Sequence, residues 1–310
     1  MTDRADNFCG KEPNVMTESG LKKVVFVVNP ISGKGKQGGI ETLIDRHLDK
    51  RFFEYQVRYT TGPGDATGIA RQAAADGYDV VVAVGGDGTV NEVTTGLVGS
   101  DTALGIIPAG SGNGLSRHLK IPLNGARAIE VINRMNVVKI DTATIDEHVF
   151  VNLAGIGFDA TIAKKFGDAG TRGFTTYFKV TTRSYFRYKP KKYILTIDGK
   201  RIERRALMVS FANSSQFGNN ASIDPGASVS DGYIDVCILR KIPFFKVPFL
   251  APLLFLKKFD RTRYVEIIRA REVVLKQKRK RVMHVDGDTH KAGKEVIMKI
   301  LPLSLNVVVP

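Results

Sequence analysis

The run Val80-Val81-Val82-Ala83-Val84 followed at once by Gly85-Gly86-Asp87-Gly88-Thr89 restricts the fold more than any other stretch. Five consecutive β-branched or small apolar residues describe a strand buried on both faces, as in a parallel sheet. The three glycines let the backbone turn sharply and come close to a ligand. Val90, Val93, Thr94 and Leu97 then recur at helical spacing, so a helix starts directly after the turn. Free N–H groups at a helix start favour phosphate. Asp87 would repel a phosphate unless a cation stood between them, so a nucleotide phosphate bridged by Mg²⁺ is the economical reading. A plain βα turn carrying a surface acid is the alternative.

Other stretches repeat this pattern. Val24–Val28 is a second buried strand, ending in Asn29-Pro30-Ile31-Ser32-Gly33-Lys34-Gly35-Lys36. This glycine-rich basic turn lacks the spacing of a Walker loop, and Lys34 and Lys36 could meet phosphate. A helix is expected over Ile40–Leu48 and a strand over Tyr55–Thr60. The turn Thr60-Thr61-Gly62-Pro63-Gly64 leads to Asp65, a candidate cap for a helix reaching Ala75. Leu104–Ile107 is a short strand closed by Pro108-Ala109-Gly110-Ser111-Gly112-Asn113-Gly114, with a helix from Leu115. Alternating strands and helices with loaded turns predict a doubly wound, mostly parallel α/β sheet, whose ligands bind beyond the carboxyl ends of the strands.

After about Val137 the rhythm changes to strands with few helices. Strands are expected at 137–145 and 148–153 around a turn at Asp146-Glu147, and at 192–197 and 206–212 with Asp198-Gly199 in the turn region. Further strands fall at 233–239, 265–268, 273–276, 282–285 and 295–300, and helices at 160–166 and 175–188. The expected organisation is a tail over 1–20, an α/β nucleotide-binding domain over 21–136 completed by 301–310, and a β-rich, largely antiparallel domain over 137–300. The last strand, 304–309, returns to the first domain in this reading.

A formal net charge of +15 over 310 residues points to a polyanionic partner: nucleic acid, a phosphorylated small molecule or an anionic membrane. No zinc-finger spacing or aromatic RNA-binding motif favours nucleic acid. Cys9 and Cys237 form neither a metal nor a redox motif, which suits a reducing cytoplasm. Met1–Gly20 lacks the apolar core of a signal peptide, and no run of about 18 apolar residues suggests a membrane span. Residues 240–263 mix Phe and Leu with Lys and Arg, and three prolines argue against one clean helix. The segment reads equally as an interfacial membrane contact or as core packed beneath the second domain.

Five motifs stand in order: N-P-x-S-G at 29–33, G-G-D-G-T-V-N-E at 85–92, P-A-G-S-G-N at 108–113, S-D-G-Y-I-D-V at 230–236 and V-D-G-D at 285–288. Their order resembles the diacylglycerol kinase catalytic-domain superfamily, which includes bacterial lipid kinases and sphingosine kinases, over roughly residues 22–310. The resemblance implies an active site in the cleft between the two domains and transfer of the ATP γ-phosphate to a lipid hydroxyl, first diacylglycerol and second a sphingoid base. An NAD kinase-like enzyme and a non-catalytic nucleotide-binding protein are the other readings.

Carried over by position, the resemblance places Asn29, Ser32, Gly33, Thr60, Gly85, Gly86, Asp87, Gly88, Thr89, Asn91, Glu92, Ser111, Gly112 and Asn113 at the nucleotide, with Asp87 facing a metal. It assigns a structural Mg²⁺ to Asp231 with backbone oxygens of Ser228 and Tyr233. The late D-G-[DE] motif supplies Asp288 as the base, with Asp286 as orienter or metal partner and Asp87 as the rival base. His284 reads as a strand residue. ATP and Mg²⁺ are thus the expected cofactors. The expected partners are a lipid substrate, an anionic membrane surface and a second copy of the chain as a homodimer, with no nucleic acid.

Overall fold

The structure is a computed structural model describing residues 20–32, 39–168, 174–217 and 220–310; side chains at 166–168 and 174–180 fall outside the description. The expected tail apart from Gly20, and Gly33, Lys34 and Lys36 of the first loop, lie outside the described residues. The chain divides into two units, Met1–Ile140 with Leu303–Pro310, and Asp141–Pro302.

The first unit runs β1 (Lys22–Val28), α1 (Ile40–His47), β2 (Phe53–Tyr59), α2 (Asp65–Ala75), β3 (Val80–Gly85), α3 (Asp87–Leu97), β4 (Ala103–Pro108), α4 (Gly114–His118) and α5 (Gly125–Arg134). Strand order is β2-β1-β3-β4, all parallel. Val24–Val28 and every residue of β3 and β4 are buried, as continuous apolar runs in a helix-covered sheet require. The chain passes from β1 to β2 on one side and resumes at β3 on the other, so the direction of winding reverses between β1 and β3. Residues Asn306 and Val307 add a parallel pairing beside β4.

Helices α2 and α3 pack together, as do α1 and α5. At the first contact Gly96 is obligatory by size: an added Cβ would lie 2.7 Å from both the Ala70 Cβ and the Thr67 carbonyl oxygen. Asp65 does not cap α2 as expected. It is the first helical residue, and its carboxylate turns back to accept from the Thr61 and Gly62 amides and the Thr61 hydroxyl. The Glu92 carboxylate of α3 instead accepts from the Ala66 amide at 3.1 Å, satisfying one of the helix's orphan donors from a neighbouring element.

The second unit contains the rest of β5 (Val137–Ile145), then β6 (His148–Phe150), β7 (Leu153–Gly157), α6 (Phe158–Asp168), α7 (Phe174–Arg187), β8 (Lys191–Ile197), β9 (Lys200–Ala206), β10 (Met208–Ala212) and β11 (Ile234–Leu239). After these come α8 (Val247–Phe255), β12 (Val265–Ala270), β13 (Glu272–Gln277), β14 (Arg281–Val285), β15 (Asp288–Ala292) and β16 (Glu295–Val308). One antiparallel sheet has the order β12-β11-β10-β7-β14-β15; β13 pairs with the first half of β16 and with β8, which pairs with β9. Side chains of both sheets, among them Phe150, Tyr193, Leu195, Phe211, Val236 and Met298, share one buried core. The strand expected over 148–153 is two strands, because the amides of Val151, Asn152 and Leu153 leave the ladder for a carboxylate described below.

Segment 240–263 is partly core and partly surface. Ile242 and Phe259 are buried, and a short helix forms despite Pro252, with Pro248 in its first turn where a missing amide costs little. Gly96→Ala is expected to destabilise the chain by about 1–3 kcal/mol through the α2–α3 contact, read as a lower urea midpoint with unchanged slope.

Candidate active site

Parallel register brings the glycine turns of the first unit to one level. Val28 pairs with Val84, and Gly85 with Pro108, so the residues after β1, β3 and β4 emerge side by side around the reversal point. Gly86 and Gly110 meet backbone to backbone; an added Cβ on Gly110 would lie 2.6 Å from the Gly86 Cα. A Cβ on Gly85 would lie 2.3 Å from the Thr89 hydroxyl oxygen. Asn29 donates from Nδ2 to that oxygen at 3.3 Å, while its carbonyl accepts from the Ser32 hydroxyl and its Oδ1 from the Ile31 amide. Thr60 sits at the same level, its amide donating to Val28 at 2.9 Å.

Asp87 starts α3 and spans to the neighbouring turn. Its two oxygens accept from the Asn113 amide at 2.9 Å and the Gly114 amide at 2.6 Å. Burial pushes its carboxyl upward, against those amides and the Arg117 charge, which favour the ionised form. Asn113, at φ 51°, closes the turn on itself by accepting from the Gly110 amide and donating to the Gly110 carbonyl. Arg117 donates to the Gly112 carbonyl at 2.9 Å. Ser111 is exposed at the tip, and Gly88 and Asn91 are half-buried in α3. The Glu92 carboxylate, expected at the nucleotide, accepts from the Ala66 amide of α2.

In the second unit the D-G-D motif is a two-residue hairpin in which Val285 pairs with Asp288. Asp286 and Gly287 take φ of 46° and 100°, the conformation an Asp-Gly hairpin supplies. The two acids separate completely. Asp286 is 6% exposed and accepts from the amides of Val151, Asn152 and Leu153 at 2.8–3.0 Å. It anchors the hairpin, a hold compatible with the orienting role expected of it. Asp288 is exposed on β15. His290, two residues on, stacks on His148 at 4.0 Å; burial and His148 push its imidazole downward while Asp288 pulls it up.

His284 is a buried strand residue with a polar partner that sequence reasoning missed. Its Nε2 lies 3.1 Å from Oδ2 of Asp159 in α6, which also accepts from the Ser210 hydroxyl at 2.9 Å. The cluster leaves no room for a side chain at Gly155, where a Cβ would stand 2.2 Å from that oxygen. No local signal marks it, because its members are 51 and 125 residues from Asp159.

Comparison with known proteins now gives this architecture its place. Residues 23–145 match the diacylglycerol kinase catalytic domain, and 152–309 match the YegS C-terminal NAD kinase beta sandwich-like domain. A Mycobacterium tuberculosis protein named diacylglycerol kinase is 30% identical over 257 residues, covering 76% of this chain and 79% of that protein. The chain belongs to the diacylglycerol kinase catalytic-domain superfamily. A Bacillus subtilis diacylglycerol kinase is 25% identical over 276 residues, covering 86% of this chain and 90% of its own length. In fold, a diacylglycerol kinase crystal structure from Bacillus anthracis superposes with a TM-score of 0.73 at 22% identity, covering 94% of this chain and 98% of the other.

The carboxylate expected to hold a structural Mg²⁺ has a side-chain cation beside it. Asp231, the one carboxylate of the expected set, is ion-paired with Arg269, and that guanidinium also stands 3.6 Å from Asp235. Arg269 and Arg271 both lie over the Tyr233 ring, at 4.8 and 4.9 Å. The Gly232 amide donates to Asp141, and the Ser230 amide to the Ser228 hydroxyl. The Arg269 guanidinium thus supplies a positive charge at this corner.

Asp286→Ala is expected to cost about 3 kcal/mol or more, since three buried amides lose their acceptor, whereas Asp288→Asn stays within about 0.5 kcal/mol of the parent; urea unfolding distinguishes them. Chelation with EDTA is expected to leave the melting temperature of the ligand-free chain unchanged. A fall on chelation, reversed by Mg²⁺, would reinstate the structural metal.

Proposed function

We propose that the chain is an ATP-dependent lipid kinase with diacylglycerol as its acceptor. The observation that carries the reading is the alignment of glycine turns after β1, β3 and β4, at the reversal point where doubly wound sheets bind nucleotides. Backbone this close at Gly86 and Gly110 leaves space for phosphates and presents amides rather than side chains to them. The Mg²⁺ arrives with the nucleotide as part of the substrate.

Asp288 is the base in this proposal. The acceptor hydroxyl oxygen bonds to the γ-phosphorus, its proton passes to the Asp288 carboxylate, and the bond to the ADP oxygen breaks. The buried hold on Asp286 fixes the hairpin and so the position of Asp288. The sandwich-like domain matched by residues 152–309 is described as NAD kinase-like, which makes a dinucleotide the comparison acceptor.

The substrate would be met at a membrane surface. No helix among the described residues is long and apolar enough to cross a bilayer. Yet no residue of α8 is fully buried, and Phe244, Phe245, Phe249, Phe255 and Leu256 are 50–78% exposed. Lys241, Lys246, Lys257 and Lys258 flank these side chains in sequence, the composition of a segment that dips into an anionic interface.

Labelled phosphate from Mg-ATP is expected in diacylglycerol when diacylglycerol, sphingosine, ceramide and NAD are offered in mixed micelles. Label in sphingosine alone would move the acceptor to sphingoid bases, and label in NAD alone would overturn the lipid reading. ATP bound with no label in any acceptor would favour a non-catalytic protein. Asp288→Asn is expected to keep ATP affinity and lose turnover by a factor of about 10² or more. Near-parental turnover would sink the base assignment. Phe245→Ser with Phe249→Ser is expected to weaken sedimentation with phosphatidylglycerol-containing vesicles while leaving the melting temperature unchanged.

A further inference from the structure

The second unit holds a cavity of about 580 Å³ that the proposed reaction does not use. It lies where β8 begins, β9 ends and the turn from β13 to β14 passes. Of its nine lining residues seven are Lys or Arg and one is Glu. That glutamate, Glu203, is taken by Lys192 at 2.7 Å, and Arg204 is held bidentately by Glu266 at 2.8 Å. Arg205, Lys278 and Arg279 have no ion pair among the described residues. The Nε of Arg281 is buried without a hydrogen-bond partner.

The sheet register contributes to this crowding: Lys192 and Arg205 stand directly opposite each other on β8 and β9, and Glu203 is taken by Lys192, which leaves the Arg205 charge without a carboxylate. Several cations around one concavity reinforce each other's potential. Guanidinium forks match phosphate oxygens two at a time, and Arg205, Arg279 and Arg281, which have no carboxylate partner among the described residues, line this space. The concavity is compact, unlike the extended basic stripe that tracks a nucleic-acid backbone.

We propose that this cavity is a phosphate-binding site, taking one or two phosphate groups of a lipid headgroup or of a soluble phosphate ester. Its surroundings connect it to the apolar surface of the same unit. Lys191 of the cavity lies over the Tyr188 ring at 5.7 Å, and Lys241 donates to the Tyr188 carbonyl at 2.7 Å. Tyr185 donates to the Ile242 carbonyl at 2.6 Å, and the exposed rings of Phe186 and Phe244 meet at 4.4 Å. A headgroup in the cavity would therefore belong to a lipid whose neighbours cover those rings. The site does not depend on the glycine turns or on Asp288.

The test compares the full chain with Arg205→Ala/Arg279→Ala, both exposed positions, and with Lys200→Ala/Arg201→Ala, which removes equal charge at the turn end of β9. Calorimetry with pyrophosphate, calorimetry with ATP, and sedimentation with phosphatidylcholine vesicles with and without phosphatidic acid are run on all three. The cavity variant is expected to lose pyrophosphate affinity by about ten-fold or more while the turn variant keeps it, and ATP affinity is the same in all. Loss of phosphatidic acid-dependent sedimentation in the cavity variant assigns a lipid headgroup. Loss of pyrophosphate binding with vesicle binding intact assigns a soluble ester. Equal behaviour of parent and cavity variant toward both pyrophosphate and phosphatidic acid overturns the site. Absent ATP binding throughout would fail the kinase reading and leave this result standing.

Discussion

Carboxylates holding backbone amides are the interaction on which the rest of the architecture depends. Asp87 takes the amides of Asn113 and Gly114, Asp286 those of Val151, Asn152 and Leu153, and Asp198 those of Arg271 and Glu272. Asp146 accepts from Ile297, Asp79 from Lys23 and Asp141 from Gly232. In a chain with 46 basic and 31 acidic residues, ion pairs would be the expected use of an acid. Exposed pairs contribute little because water screens them. A carboxylate that accepts several amides at once both satisfies donors that would otherwise be orphaned and fixes the path of a turn.

That principle explains why the turns can be short and glycine-rich without being loose. Gly86 and Gly110 lack side chains to lock them, and their mutual approach leaves no room for any. Asp87 closes one side of the contact and the Asn113 ring of hydrogen bonds closes the other. The backbone is thereby organised before a ligand arrives, which lowers the ordering cost of binding. The same logic separates the acids of the D-G-D hairpin. One is buried as an anchor, and the other is left facing outward on a positioned strand.

Arg269 illustrates how one cation can stand where a family pattern leads one to expect a metal. Its guanidinium joins Asp231 and Asp235 and lies over Tyr233. Burial pushes the nearby Asp224 carboxyl upward, and a hydrogen bond with Asp235 and the Arg269 charge pull it back.

Local pattern determined much of this protein. Continuous apolar runs marked β1, β3 and β4 because a helix-covered parallel strand is buried on both faces. Asp198-Gly199 marked a hairpin because both residues take positive φ. The glycine turns were legible as places of close backbone approach for the same steric reason. Tertiary structure alone decided what the acids do. Asp286 meets its amides 133 to 135 residues away, Glu92 serves a helix 26 residues earlier, and His284 finds Asp159 across 125 residues. A carboxylate has the same chemistry whether it is anchor, cap or base. Its role is set by which donors the fold brings within about 3 Å, and that distance is not written in local sequence.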